Sequence, residues 1–251
     1  MPRTILTDEH WLKLKPILRD LNIYNKRNLR NVIEGILYRM KTGCQWRDIP
    51  ECFGKNNSIF KCFNRWSKND SFLKLFEMLS IPSDMEWVFI DASLIRAHQH
   101  STGAQGTLPQ AIAKSAGGNT SKIHLAVDAN GNPVSFIITD GTTHDVKVAP
   151  DLVNSLDLSD TESLSADKAY DCEALREQIS AAATKANIPR RKNSKSSNES
   201  MDWYLYKLRH LVENAFARLK HFRGIATRYD KLKQSYENMV ALACAFIWLP
   251  L

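Results

Sequence analysis

The stretch SKIHLAVDANGNPVSFIITDG, residues 121–141, decides the fold class. Its two halves are rich in apolar and β-branched residues, and its centre, DANGNP, is a cluster of turn formers. That combination predicts two strands joined as a β-hairpin. Working outward, WVFIDAS (87–93) predicts a strand before the hairpin, ending in Asp91. After it, HDVKVAPDLVNSL (144–156) predicts a helix, and SLSADKAYD (163–171) a strand ending in Asp167. DCEALREQISAAATKA (171–186) then predicts a helix, NIPRR (187–191) a short strand and KNSKSSNES (192–200) a flexible polar loop. Residues 204–224 read as one long helix and 236–249 as the last one. Three strands followed by alternating helices and strands make a mixed sheet with helices packed on it, an α/β fold.

The first eighty residues read differently. LTDEHWLKLKPILRDL offers Thr7 as an N-cap, with Asp8 and Glu9 in the first turn, where the helix dipole favours them. NLRNVIEGILYRMKTG spaces Leu29, Val32, Ile33, Ile36, Leu37 and Met40 for a helix that Gly43 would close. WRDIPECFG predicts a short helix or turn. NSIFKCFNRWSKND then places Ile59, Cys62, Phe63 and Trp66 on one face, with Lys61, Asn64, Arg65 and Lys68 largely away from it. Such an order suits a helix-turn-helix whose last helix enters the major groove, and equally a helical bundle with a solvated basic face. The expected division is therefore a helical DNA-binding domain at 1–80 and an α/β domain at 81–251. Residues 96–120, rich in Gly, Ser, Thr and Gln, make a loop too long for an idle connection.

Charge sharpens this division. Of the 251 residues 43% are hydrophobic, enough for a substantial core. The net charge of +7 arises from a segment of +7 at 1–80, one of −8 at 81–184 and one of +8 at 185–251. Basic flanks predict a polyanionic partner, most simply nucleic acid. An acidic centre would repel that partner unless a divalent cation stood between carboxylates and phosphate. The five cysteines, at 44, 52, 62, 172 and 244, form no CxxC pair and have spacings wrong for a zinc knuckle. With no export signal and no apolar run able to span a bilayer, reduced thiols in the cytoplasm and no membrane partner are expected.

Asp91 and Asp167 at neighbouring strand ends could converge on one point, although either alone is more often a turn former or cap. In the long helix, Tyr206, Arg209, Glu213 and Lys220 fall within an arc of about 60° on one face. Leu205, Leu208, Val212, Phe216 and Leu219 form a separate apolar stripe. An Arg209–Glu213 ion pair, worth a few tenths of a kcal/mol, would leave Tyr206 and Lys220 in that row unexplained.

The pattern Tyr206-x2-Arg209-x3-Glu213-x6-Lys220 resembles the signature of bacterial insertion-sequence transposases of the DDE type, in the insertion-sequence-five family related to insertion sequence four. GILYRMKTGCQWRDIPECFG, FIDASLIRAHQH, GGNTSKIHLAVDANGNP, ADKAYD and RHLVENAFARLKHFRGIATRYDK resemble the family's blocks in their order, across nearly the whole chain. The resemblance implies a ribonuclease-H-like core in which Asp91, Asp167 and Glu213 are the catalytic triad and the ligands of two Mg²⁺ ions, with Mn²⁺ able to substitute. It also implies that Arg209 and Lys220 hold phosphates and that Tyr206 bonds a phosphate or stacks on a base. The implied partners are double-stranded DNA, as terminal inverted repeats and as target, and a second copy of the chain in the active complex. The place of action would be the bacterial cytoplasm, at the nucleoid. A catalytically inactive transposase-derived regulator and a structure-specific nuclease are the alternatives.

Other positions carry lesser expectations. Arg96 and Lys114 are candidate DNA contacts from the long loop, and Arg190, Arg191 and Lys192 from the cluster PRRKNSK. His98 and His100 read as a polar loop. Asp171 is expected to cap the following helix and Trp203 to pack inside. Ala169 stands where the family often has Gly, which would be costly if the backbone there needed a positive φ.

Overall fold

The computed structural model describes residues 4–23, 27–194 and 196–250. The chain divides into two compact units, one of Met1–Ile81, Arg96–Gln110 and Arg218–Leu251, the other of Pro82–Ile95 and Ala111–Ala217.

The first unit begins with α1 (Asp8–Asp20), where Thr7 Oγ1 accepts the His10 amide at 3.1 Å, and α2 (Leu29–Thr42), closed by Gly43 at φ 69°. Two 3-10 turns, Trp46–Asp48 and Glu51–Phe53, lead to α3 (Asn56–Lys68). A further helix that the sequence reading did not separate, α4 (Ser71–Leu79), follows from Asp70 in the left-handed region. Ile59, Phe63 and Trp66 are buried, so the apolar face of α3 points inward as its spacing requires.

The sheet comprises β1 (Trp87–Ala97), β2 (Ala113–Ser115), β3 (Gly118–Val127) and β4 (Pro133–Asp140), then α5 (Asp145–Asn154), β5 (Ser163–Ser165), α6 (Glu173–Ala181) and β6 (Lys185–Asn187). Its strand order is β2-β3-β1-β5-β6, with β4 also paired to β3. The hairpin of β3 and β4 is antiparallel, with Ser121 opposite Asp140. Asp128 organises its turn, accepting the amides of Asn130 and Asn132, and Gly131 takes φ 76°, which a Cβ would disfavour. β1, β5 and β6 run parallel. Val88, Ile90, Leu152, Leu164, Leu175, Ile179 and Ile188 fill the core between sheet and helices. This is the expected α/β architecture, a mixed sheet with flanking helices.

Four local expectations change. β1 does not stop at Asp91 but continues to Ala97, although its ladder with β5 ends at Phe89. The supposed loop at 96–120 contains the end of β1, a 3-10 turn at Gln99–Ser101 and a tight hairpin of β2 with β3. β6 lies at Lys185–Asn187, ahead of the basic cluster, because Asn187 is buried and tied to the Asp202 backbone. The long helix is broken into α7 (Trp203–Lys207) and α8 (His210–Lys220). His210 Nδ1 occupies the Lys207 carbonyl at 2.9 Å, and the Leu211 amide turns instead to Leu208. Leu208 and Arg209 therefore form a turn.

The first unit closes with α9 (Arg223–Ala226), β7 (Thr227–Arg228) and α10 (Lys233–Trp248), the last packed on α3 and α4. Gly224 brings α9 against α2, where a Cβ would stand 2.9 Å from the Met40 carbonyl. The described residues contain no helix long and apolar enough to cross a membrane.

Candidate active site

The parallel register of β1 and β5 sets Trp87 opposite Ser163 and Phe89 opposite Ser165. Asp91 and Asp167 each lie two residues beyond the last pair of that ladder, near enough for the charge of Asp167 to act on Asp91. Asp91 Oδ1 accepts the Ala92 amide at 2.8 Å, and Asp167 Oδ1 accepts the Ala169 amide at 2.7 Å, capping the 3-10 turn Lys168–Tyr170. Ala169 is not among the residues with positive φ, so the alanine there carries no strain.

The third carboxylate arrives on α8. Leu205, Val212, Phe216 and Leu219 are buried, while Glu213 stays exposed. Arg209, at the break between α7 and α8, donates from Nη1 to Asp91 Oδ2 and from Nη2 to Glu213 Oε1, each at 2.7 Å. One guanidinium thus joins the strand carboxylate to the helix carboxylate. Burial raises the Asp91 carboxyl above its ordinary range, with Asp167 adding to the rise, against the lowering pull of the Ala92 amide and Arg209. Burial works against the charge on Arg209, but Asp91, Glu213 and Tyr206 outweigh it and hold its pKa up.

Tyr170 completes the surroundings. It is 1% exposed, and its hydroxyl has no hydrogen-bond partner. Burial, then the charges of Asp145, Asp91 and Asp167, push that hydroxyl far above the usual tyrosine range. The donors gathered here are hard carboxylate oxygens with an idle hydroxyl beside them, which suits Mg²⁺ or Mn²⁺ rather than a thiophilic metal. Among the described residues no three His, Cys, Asp or Glu side chains form a ready-made metal cluster. The cationic place between Asp91 and Glu213 is taken by Arg209.

Tyr206 is half-buried on α7, its ring edge-on to Trp203 with centroids 5.8 Å apart. Lys220 is the last residue of α8 and exposed. On α3, Lys61, Arg65 and Lys68 are exposed and Asn64 is half-buried. Arg96 on β1 and Lys114 on β2 are exposed. Arg190 pairs with Glu173 on α6, and Arg191 donates to the carbonyls of Lys168 and Ala169, so Arg191 pins the loop to the Asp167 turn and Arg190 pins it to the helix that follows. Lys192 is exposed, and Lys195 lies outside the described residues.

Two lesser expectations fail. Asp171 does not cap α6. It accepts the Arg191 amide and pairs with Arg176 at 2.8 Å, and these, against the cost of burial, hold its carboxyl below the usual range. Trp203 is 51% exposed because the buried side of α7 is taken by Leu205.

Sequence reasoning also passed over a polar cluster on β3. Lys122 Nζ donates to Asp145 Oδ1 and to the Thr143 carbonyl, both at 2.8 Å. His124, 1% exposed, lies 3.0 Å by Nε2 from Thr139 Oγ1 and 3.8 Å by Nδ1 from Asp145. Burial lowers its pKa to about 4, so it is neutral at pH 7. The alternation in SKIHLAV mimics a solvated face, yet α5 packs over it. The acid that opens α5, in the stretch THD, was the available signal.

Residues 82–248 match the family described as "Transposase DDE domain", and residues 6–76 match "Putative transposase of IS4/5 family". The chain is 40% identical over 131 residues to "Putative transposase for insertion sequence element IS6501" of Brucella ovis, covering 52% of this chain and 98% of that protein. It is 27% identical over 136 residues to the corresponding protein of IS402 from Burkholderia cepacia, covering 51% of this chain and 62% of that one. Among solved structures, the piggyBac transposase synaptic complex with hairpin DNA aligns at 12% identity and a TM-score of 0.37, over 75% of this chain and half of that one.

Proposed function

We propose that this chain, which belongs to the transposase DDE domain family, binds the terminal inverted repeats of an insertion sequence, hydrolyses the phosphodiester at each end and joins the freed 3′-hydroxyls to target DNA. The observation that carries this reading is the bridge from Arg209 to Asp91 and Glu213, near Asp167 just beyond the β1–β5 ladder.

Asp91, Asp167 and Glu213 would hold two Mg²⁺ ions, or Mn²⁺ in their place. Bound there, the metal supplies a polarised phosphoryl oxygen, an activated water and a stabilised leaving group. The chain's own residues do the rest. Arg209 grips a non-bridging phosphate oxygen pair with its planar fork. Tyr206, adjacent to Arg209, donates to a phosphate or stacks on the end base. Lys220 holds the backbone further along the strand.

The helical domain at 1–80 would recognise the ends, with Lys61, Asn64, Arg65 and Lys68 of α3 facing the DNA. Arg96, Lys114 and Lys192, all exposed, would follow the backbone, while Arg191 would brace the Asp167 turn against it and Arg190 would brace α6. Two ends must be held together for joining, so the working form is at least a dimer, acting in the cytoplasm at the nucleoid.

The test is a Mg²⁺-dependent assay on duplex carrying the element's end. Glu213→Gln is expected to abolish strand cleavage while leaving end binding largely intact, and retained cleavage would sink the assignment. Pre-cut ends then separate a transposase from a plain nuclease, since only the former joins them to a second duplex.

A further inference from the structure

We propose that Arg209 is a place-holding counter-ion, closing the acidic site to divalent metal until a DNA phosphate takes its guanidinium. The inference rests on the metal reading above and adds an order to it: DNA first or together with metal, not metal alone.

The bonding supplies the argument. Asp91 Oδ1 is already engaged by the Ala92 amide, and Oδ2 is the oxygen that Arg209 takes. Glu213 Oε1 is taken by the same guanidinium. A divalent ion ligated by these two carboxylates would have to share the space with a fixed positive charge. A divalent ion and a guanidinium a few ångströms apart repel each other, the more so where water is partly excluded. Metal and this arginine pose therefore exclude each other.

Arg209 also has the means to leave. It belongs to the turn between α7 and α8, where i→i+3 bonds from Leu208, Arg209 and Leu211 replace the regular helical ladder. Its side chain is one-fifth exposed, so solvent and ligand can reach it. A phosphodiester offers the guanidinium the same paired oxygens that the carboxylates do. Transfer of Arg209 from carboxylates to phosphate would vacate Asp91 Oδ2 and Glu213 Oε1 together. Linkage then requires that DNA raise metal affinity and that metal raise DNA affinity by the same factor. Such coupling would keep a metal-loaded nuclease from forming away from DNA.

The measurement is Mn²⁺ binding by the full chain, read from the free-ion electron paramagnetic resonance signal, with and without an end duplex. Without DNA, Arg209→Gln is expected to bind Mn²⁺ about tenfold more tightly than wild type, and Arg209→Lys to fall between them. Adding the duplex should raise the affinity of wild type by a larger factor than that of Arg209→Gln, which gains only the phosphate ligand. Asp91→Asn and Glu213→Gln should weaken binding in both backgrounds. If the carboxylate variants bind Mn²⁺ as wild type does, the metal reading fails and the proposal with it. Should they weaken binding while Arg209→Gln and Arg209→Lys bind no more tightly than wild type, the site stands and the place-holding role is overturned.

Discussion

Arg39 and Arg209 each grip a carboxylate, under opposite conditions. Arg39 and Asp230 keep only 5% and 6% of their side-chain surface exposed, whereas Arg209, Asp91 and Glu213 keep 20%, 22% and 55%. The Arg39 guanidinium lies over the Trp46 ring at 4.4 Å and makes two bonds to Asp230, at 3.1 and 3.4 Å. No ligand could compete for it without opening the core of the helical unit. The same pair of residue types is thus a fixed clamp in one unit and an exchangeable contact in the other. The difference lies in water access and in the segment that carries the arginine, a continuous helix for Arg39 and a turn for Arg209.

The largest expected effect tests the clamp. Asp230→Ala should destabilise the protein by about 3–5 kcal/mol, because it leaves a buried guanidinium without its counter-charge. Urea denaturation measures this, and a loss under about 1 kcal/mol would mean that the clamp is as dispensable as a surface pair. Mn²⁺ binding by the folded variant should stay at the wild-type level.

Next comes His124, which shows a third way to bury a titratable group: keep it neutral. Its folded pKa near 4 lies below the ordinary value of 6.5. Between those values the unfolded chain binds a proton that the folded chain does not. Stability is therefore full above about pH 6.5 and lost as pH falls towards 4, by about 3 kcal/mol in total. His124→Gln should flatten that slope in denaturation curves taken across the interval, and an unchanged slope would remove His124 as its source. Asp145 and Lys122, the charged neighbours of the imidazole, are retained in the variant.

Smaller still is the stability effect of Arg209→Gln. An accessible pair contributes little, so the variant should unfold within about 1 kcal/mol of wild type. A loss of 3 kcal/mol or more would make Arg209 a clamp like Arg39 and erase the contrast between them.

Much of this was legible in the sequence, for identifiable reasons. The Asn-Gly turn marked the hairpin because few backbones other than a tight turn accept those residues so readily. Gly43 and Thr7 marked helix ends because their bonds are local. The extent of β1 beyond Asp91 was not legible, since its last two residues, Arg96 and Ala97, pair with β7 more than a hundred residues away. Nor was the burial of His124 and the partial burial of Lys122, whose alternation copies that of a solvated strand until α5 covers it. The spacing of Tyr206, Arg209, Glu213 and Lys220 singled out the right helix segment, but it assumed a regular helix. Nothing in the one-dimensional pattern discloses that His210 would take the Lys207 carbonyl, or that Arg209 would reach across to a strand.

That imidazole gives the smallest expected effect and the finest probe of the contrast. In a regular helix the Lys207 carbonyl accepts from the Leu211 amide. His210→Ala removes the competitor and supplies a better helix former, a gain of a few tenths of a kcal/mol. The Leu211 amide should return to Lys207 and exchange with solvent more slowly, and α7 and α8 should merge. Arg209 would then sit on a continuous helix, as Arg39 does, with less freedom to move between carboxylate and phosphate. Hydrogen exchange at Leu211 and the DNA dependence of Mn²⁺ binding should change together. If the amide is protected but the coupling is untouched, the turn is incidental and only the exposure of Arg209 separates it from Arg39.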